Sequence, residues 1–286
     1  MLDKKMVSIF LVTLLLAGCG GLPFLNGKES AEHSKSYLTK SLKKDIPDDF
    51  IPTELSVVSV GDSLTQGVGA SDDQEGYIPY LSAYLETNRG IKEATFTNYG
   101  VRGNRTSDLL NRLQDEQIKR DIEQADAVVI TIGGNDIMKV VKEKFTNLTM
   151  ADFLEASVTY EERIEKILKT IRKYNQEAEI YYIGLYNPFG KWMSAFSELD
   201  IIMDDWNEIG MEVTKSDSNA YFIRIDDIFA ASDENLLYQE DYFHPNDRGY
   251  ELIAARIYEE MKEKTVDSMY AVGQRNGVAN NEEVDE

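Results

Sequence analysis

Three residue types that together can break an acyl ester occur in this chain at suggestive places. Ser63 lies in Gly61-Asp62-Ser63-Leu64, directly after an apolar run, where a glycine permits a tight turn. Asp241 and His244 share one short stretch, Asp241-Tyr242-Phe243-His244-Pro245-Asn246. Acyl transfer needs a nucleophile, a base, a group that orients the base, and donors for the oxyanion. Ser63 is the candidate nucleophile. The chain has two histidines. His33 lies in a polar N-terminal stretch, so His244 is the one imidazole base in the body. A carboxylate three residues earlier can hold one ring nitrogen and leave the other for Ser63. The Ser63 N–H, the Gly103 N–H and the Asn135 amide supply oxyanion donors if their loops converge.

These residues need a scaffold that gathers them, and the hydrophobic pattern predicts one. Strands are expected over Leu55–Val60, Ala94–Asn98, Ala127–Ile132, Glu179–Leu185 and Tyr221–Ile225. Helical stripes alternate with them. One, over Tyr160–Tyr174, carries Ile164, Ile167, Leu168 and Ile171. Another carries Tyr250, Ile253, Ala254, Ile257 and Met261, with Asn246 as its N-cap. Strand–helix alternation means βαβ units, a parallel sheet covered on both faces, and ligands at the carboxyl ends of the strands. Ser63, Gly103, Asn135 and His244 all follow such strands. The loops Gly67–Tyr77, Ile137–Phe153 and Tyr186–Phe196 are expected to shape the pocket.

Other chemistries are excluded by what surrounds these residues. There is no Gly-X-Ser-X-Gly elbow, no Gly-X-Gly-X-X-Gly fingerprint and no Walker lysine. Fifty-one Asp and Glu against 30 Lys and Arg give a net charge of −21, which repels phosphate backbones and argues against nucleic acid as a partner. One cysteine and two histidines exclude a disulfide scaffold and a Cys/His zinc site. The acidic pairs Asp204-Asp205 and Asp226-Asp227 have no further ligand nearby and are expected at the surface. No metal and no cofactor is called for.

The single cysteine has a different meaning. Lys4 and Lys5 precede an apolar run from Met6 to Ala17, too short for a permanent transmembrane helix. The run ends Leu16-Ala17-Gly18-Cys19, which resembles a bacterial lipobox. The resemblance implies a signal peptide over 1–18 and a diacylglyceryl group on Cys19, whose two acyl chains give stable anchoring. Residues 19–53 then read as a flexible spacer, 54–264 as a single domain and 265–286 as a disordered acidic tail.

Four blocks, Gly61-Asp62-Ser63-Leu64, Asn98 to Gly103, Gly133-Gly134-Asn135-Asp136 and Asp241-Tyr242-Phe243-His244, stand in the order of the GDSL, or SGNH, hydrolase superfamily, which the chain resembles from residue 61 to 244. The resemblance implies a three-layer α/β/α, flavodoxin-like fold with a five-stranded parallel sheet. It implies Ser63, Asp241 and His244 as catalytic residues and Ser63, Gly103 and Asn135 as the oxyanion hole, with Gly103 preferred over Gly100 by its offset from Asn98. With the lipobox, the expectation is a lipid-anchored lipase or acylhydrolase. It would face the extracytoplasmic side of a bacterial membrane, act on acyl esters through an acyl-serine intermediate, and be monomeric. The alternatives are an O-acetyl esterase on cell-wall glycans and a non-catalytic surface-binding lipoprotein. Asp62 and Asp136 are expected to hold the turns that carry Ser63 and Asn135.

Overall fold

A computed structural model of the chain describes residues 52–71, 75–189 and 197–266. The signal segment, Cys19, the spacer up to residue 51, the tail from 267, and Trp192, Met193 and Phe196 of the third expected loop lie outside the described residues.

Five strands form one sheet: β1 (Thr53–Gly61), β2 (Ile91–Gly100), β3 (Ala127–Thr131), β4 (Glu179–Ile183) and β5 (Ala220–Ile223). Every pairing is parallel and the order is β2-β1-β3-β4-β5. The expected strands are all present, with ends moved by a few residues. All five residues of β3 are buried, as a central parallel strand covered on both faces demands. The order reverses direction between β1 and β3, and such a switch point opens a crevice beyond the carboxyl ends of the two strands.

Side chains alternate across the sheet, so each strand feeds two cores. Leu55, Val57, Val129, Tyr181 and Ile183 pack with α2 (Ile78–Glu86) and α9 (Asp247–Met261) through Leu81, Leu85, Tyr250, Ile253 and Ile257. Val58, Val60, Val128 and Ile130 belong to the other face and are equally buried. That face is covered by α3 (Thr106–Arg112), α4 (Glu116–Glu123), α6 (Met150–Tyr174) and α7 (Ser197–Thr214). Each fully buried aliphatic side chain contributes roughly 1.5–3 kcal/mol. The α9 stripe is the predicted one. Asn246 caps this helix, its side chain accepting the Gly249 N–H at 3.0 Å.

Two expectations are corrected. Ile137–Phe153 is not a loop: α5 (Gly134–Glu143) covers its first half, and α6 begins at Met150, ten residues before the predicted stripe. Thr149 caps α6 in a reciprocal capping box with Asp152. At the other end, Thr265 and Val266 are not tail. They are buried in a π-helical turn over Lys262–Val266 that continues α9. Three of the four carboxylates of the acidic pairs lie in ion pairs: Arg224 joins Asp204 and Asp226, and Arg256 holds Asp227.

Candidate active site

β1 ends at Gly61, whose φ of +150° brings its backbone against β3. A Cβ there would lie 2.0 Å from the Thr131 carbonyl oxygen. This close approach delivers Asp62 and Ser63 to the crevice at the switch point. Asp62 caps the short helix α1 (Ser63–Gln66), its Oδ1 accepting the Leu64 N–H at 3.1 Å and the Thr131 hydroxyl at 2.9 Å. Thr131 is also hydrogen-bonded to Thr65 at 2.8 Å. Burial pushes the Asp62 carboxyl up to about 6, against the pull of these hydrogen bonds. Asp62 therefore does hold the turn under Ser63, as expected.

Ser63 and His244 are 181 residues apart in sequence, yet Ser63 Oγ lies 2.9 Å from His244 Nε2. On the other side of the ring, Nδ1 lies 2.6 Å from Asp241 Oδ2. Ser63 and His244 are 4% and 6% exposed, so water competes little for either bond. The second Asp241 oxygen accepts the backbone N–H groups of Phe243 and His244 at 2.9 and 3.0 Å. Burial pushes the Asp241 carboxyl up, but hydrogen bonds from the His244 ring and from these backbone groups outweigh it, so it stays below the usual aspartate range. It is an anion that fixes both the ring and the turn. A hydroxyl so placed can pass its proton to Nε2 as it attacks, and the carboxylate can stabilise the imidazolium that results.

The imidazole is held from several sides. The His244 carbonyl accepts the Tyr238 N–H at 2.8 Å. The Phe243 carbonyl accepts the hydroxyl of Tyr186 at 2.6 Å. Tyr186 follows β4 by three residues, is buried, and stacks on Phe229 of α8 (Asp226–Ala231) with ring centroids 3.9 Å apart. The Phe243 ring meets the His244 ring edge-on at 5.0 Å. Tyr186 therefore belongs to the support of the base, not to an open pocket wall. Nothing in its sequence neighbourhood predicts this, because its partner is 57 residues away. Thr131 carried a readable signal: it is a hydroxyl ending an otherwise apolar strand.

The oxyanion candidates sit on three cross-linked segments. Asn135, in the first turn of α5, donates through Nδ2 to the Asn104 carbonyl at 3.0 Å. One of its two amide hydrogens is thereby used, and the other is left for a ligand. Asp136 clamps the same two loops, accepting the Thr106 N–H at 2.9 Å and its hydroxyl at 2.7 Å. The loop after β2 is tied to α1 by the Arg102 N–H, which donates to Gln66 Oε1. The two glycines of this loop differ. Gly100 packs on α1, where a Cβ would fall 2.1 Å from the Gln66 nitrogen. Gly103, with φ +82°, has no atom within 4 Å of where a Cβ would stand. Gly103 thus faces open space and Gly100 does not. Neither the Ser63 nor the Gly103 N–H has an acceptor among the described residues. Arg105 pairs with Asp108, and Arg102 is exposed.

Comparison with known proteins identifies the fold and the family. Residues 59–252 match the GDSL-like Lipase/Acylhydrolase family. The chain is 41% identical over 209 residues to protein YpmR of Bacillus subtilis, covering 73% of this chain and 82% of that one. It is 28% identical over 219 residues to the spore germination lipase LipC of Bacillus licheniformis, covering 71% and 94%. Among solved structures, the lipase Lip_vut3 from a goat rumen metagenome superimposes with a TM-score of 0.64 at 25% identity, over 71% of this chain and 95% of that chain. Axe2, an acetylxylan esterase from Geobacillus stearothermophilus, shares the fold with a TM-score of 0.57 at 19% identity, over 74% and 96%. The chain belongs to the GDSL-like lipase/acylhydrolase family and is a carboxylic-ester hydrolase.

Proposed function

We propose that the protein is a serine esterase that cleaves acyl esters outside the bacterial cytoplasmic membrane, held there by a lipid on Cys19. The observation that carries the chemistry is the unbroken series from Ser63 Oγ to His244 Nε2, and from Nδ1 to Asp241, at 2.9 and 2.6 Å. Ser63 Oγ attacks the ester carbonyl carbon while its proton passes to Nε2. The carbonyl oxygen takes up the electron pair and is met by the Ser63 and Gly103 N–H groups and the Asn135 amide. As the carbonyl re-forms, the C–O bond to the alcohol breaks and Nε2 returns the proton to the leaving oxygen. Water then attacks the acyl-Ser63 ester by the same route and releases the acid. Asp241 stays ionised throughout.

The lipase and esterase names of the relatives support acyl esters as the substrate class. Acyl length separates a lipase from an enzyme that removes O-acetyl groups from cell-wall glycans. Every core residue named above lies between Leu55 and Val266, so a chain beginning at Gly20 carries every described element. That protein and its Ser63→Ala variant are to be offered p-nitrophenyl esters from acetate to palmitate. Turnover lost in the variant is the expected result, and the length profile assigns the acyl chain. Absence of turnover, together with no labelling of Ser63 by a fluorophosphonate, refutes the esterase reading in favour of a binding lipoprotein. In the full chain, palmitate incorporation that persists in Cys19→Ser refutes the anchor.

A further inference from the structure

Arg112, the last residue of α3, reaches back to the loop that follows β2. Its Nη1 donates to the Tyr99 carbonyl at 2.9 Å and to Asn104 Oδ1 at 3.2 Å. The two hydrogens of one nitrogen thereby bracket residues 100–103. The guanidinium is half-buried and forms no ion pair among the described residues. Burial pulls it below the usual arginine range, with only the charge of Asp115 acting against that. Arg105 and Arg163, by contrast, pair with Asp108 and Asp136. A cation half out of water and met by neutral acceptors is a costly choice, and an apolar side chain would fill the same space without that cost. What the guanidinium holds accounts for it.

Asn104 is the joint between the two loops of oxyanion candidates. Its side chain accepts from Arg112, its N–H donates to the Val101 carbonyl at 3.1 Å, and its carbonyl accepts from Asn135 Nδ2 at 3.0 Å. The bond to Val101 closes a four-residue turn with Gly103 third, and the Gly103 φ of +82° is what a type II turn has there. The Gly103 N–H belongs to the central peptide of that turn. Types I and II differ by roughly a half-rotation of this peptide plane, which reverses the direction of its N–H. On one side the turn is tied to α1, where the Arg102 N–H meets Gln66. On the other side Arg112 ties it to α3. We propose that Arg112 is a positioning residue: acting through Asn104, it sets the direction of the Gly103 N–H and the place of the Asn135 amide, so that both donors meet the oxyanion together. It touches no reacting atom. This inference rests on the oxyanion reading of Gly103 and Asn135 and adds the device that aligns them.

The test is a double-mutant cycle on p-nitrophenyl acetate with Arg112→Met, Asn104→Ala and the two combined, in the chain beginning at Gly20. Exhaustive labelling of Ser63 by a fluorophosphonate counts the competent sites, so every rate is a rate per site. Arg112→Met keeps an apolar stem in place of the arginine stem. Its kcat is expected to fall about 10- to 100-fold, less than for outright removal of a donor, with KM within about twofold of the parent. Asn104→Ala is expected to lose a similar factor, and the combined variant no more than about twofold beyond the larger single loss, because one tie is cut in each. The pH dependence of kcat/KM keeps its acid limb, since Asp241 and His244 are untouched. If Arg112→Met does not fold, Asn104→Ala must still show the fall in kcat at constant KM. Fewer sites at full rate per site make Arg112 structural and overturn the proposal. Losses that multiply in the combined variant, or that fall on KM, overturn it too. If Asn135→Ala leaves kcat unchanged, the oxyanion reading fails and takes this inference with it. If Asn135→Ala lowers kcat while Arg112→Met and Asn104→Ala do not, this inference alone is refuted.

Discussion

Replacing Asp241 by asparagine changes one atom and inverts the logic of the site. The asparagine Oδ1 keeps the N–H groups of Phe243 and His244, now held at 2.9 and 3.0 Å, so the turn survives. The amide nitrogen then takes the place of Oδ2, 2.6 Å from His244 Nδ1. An amide nitrogen only donates, so two N–H groups would confront each other. The ring escapes by moving its proton to Nε2 and accepting at Nδ1. Nε2–H then points at Ser63 Oγ and cannot take its proton. The carboxylate that stabilised the imidazolium is gone as well. In a Ser-His-Asp series with intact geometry this exchange lowers kcat about 10⁴-fold, or about 5 kcal/mol of transition-state stabilisation. The assay is turnover of p-nitrophenyl acetate by Asp241→Asn beside a melting curve. Near-complete loss of rate with a melting temperature within a few degrees of the parent is expected. Asp241→Ala gives the contrast: it also strips the acceptor from two backbone N–H groups, at about 1 kcal/mol each, and lowers the melting temperature. A folded Asp241→Asn protein that loses less than about tenfold refutes the assignment of Asp241 as orienter of the base.

Two further outcomes test the surroundings of Ser63. Asp62 binds its proton more tightly in the folded chain than in the unfolded one. Its contribution to stability is therefore largest below the unfolded value of 3.8 and is lost as pH rises through about 6. A shift of that size corresponds to about 3 kcal/mol. Asp62→Asn keeps an acceptor for the Leu64 N–H and the Thr131 hydroxyl, so the stability of the variant relative to the parent is expected to climb between pH 4 and 7. A difference that is flat with pH in urea melts rules out titration of Asp62 in that window. Asn135→Ala removes the side-chain donor of the proposed oxyanion hole, and kcat is expected to drop about 100- to 1,000-fold with KM nearly unchanged. A loss carried by KM instead would make Asn135 a binding group.

The reading of helices from pattern succeeded and failed for identifiable reasons. The stripe Ile164, Ile167, Leu168, Ile171 is apolar on one side only, and it was legible. The first ten residues of α6 continue the same buried face through Phe153 and Ser157. There, however, Leu154 and Val158 add apolar residues on the solvent side, and Ser157 places a hydroxyl in the core. Both blur a 3.6-residue period. The capping box at Thr149 and Asp152 was the signal that would have found the start. α5 is short, with Ile137 and Val141 as its buried apolar anchors, and its lysines read as a polar loop.

The sequence by itself determined the five strands, two of the helical stripes, and Ser63, Asp241 and His244 as the candidate series. Alternating apolar periods and rare residue types are local properties of the chain. Their assembly was not local. The approach of Ser63 to His244 across 181 residues depends on the strand order, which places both beside one switch point. Tyr186 on the Phe243 carbonyl depends on it too, as do the Thr131 and Thr65 hydroxyls behind Asp62. The glycines carry the same lesson. Gly100 and Gly103 are the same letter in one loop, and only the packing of α1 against the first makes the second the one that faces open space. Left-handed backbone at Tyr242 was invisible for the same reason: a turn closed by Asp241 dictates it, and no property of tyrosine does.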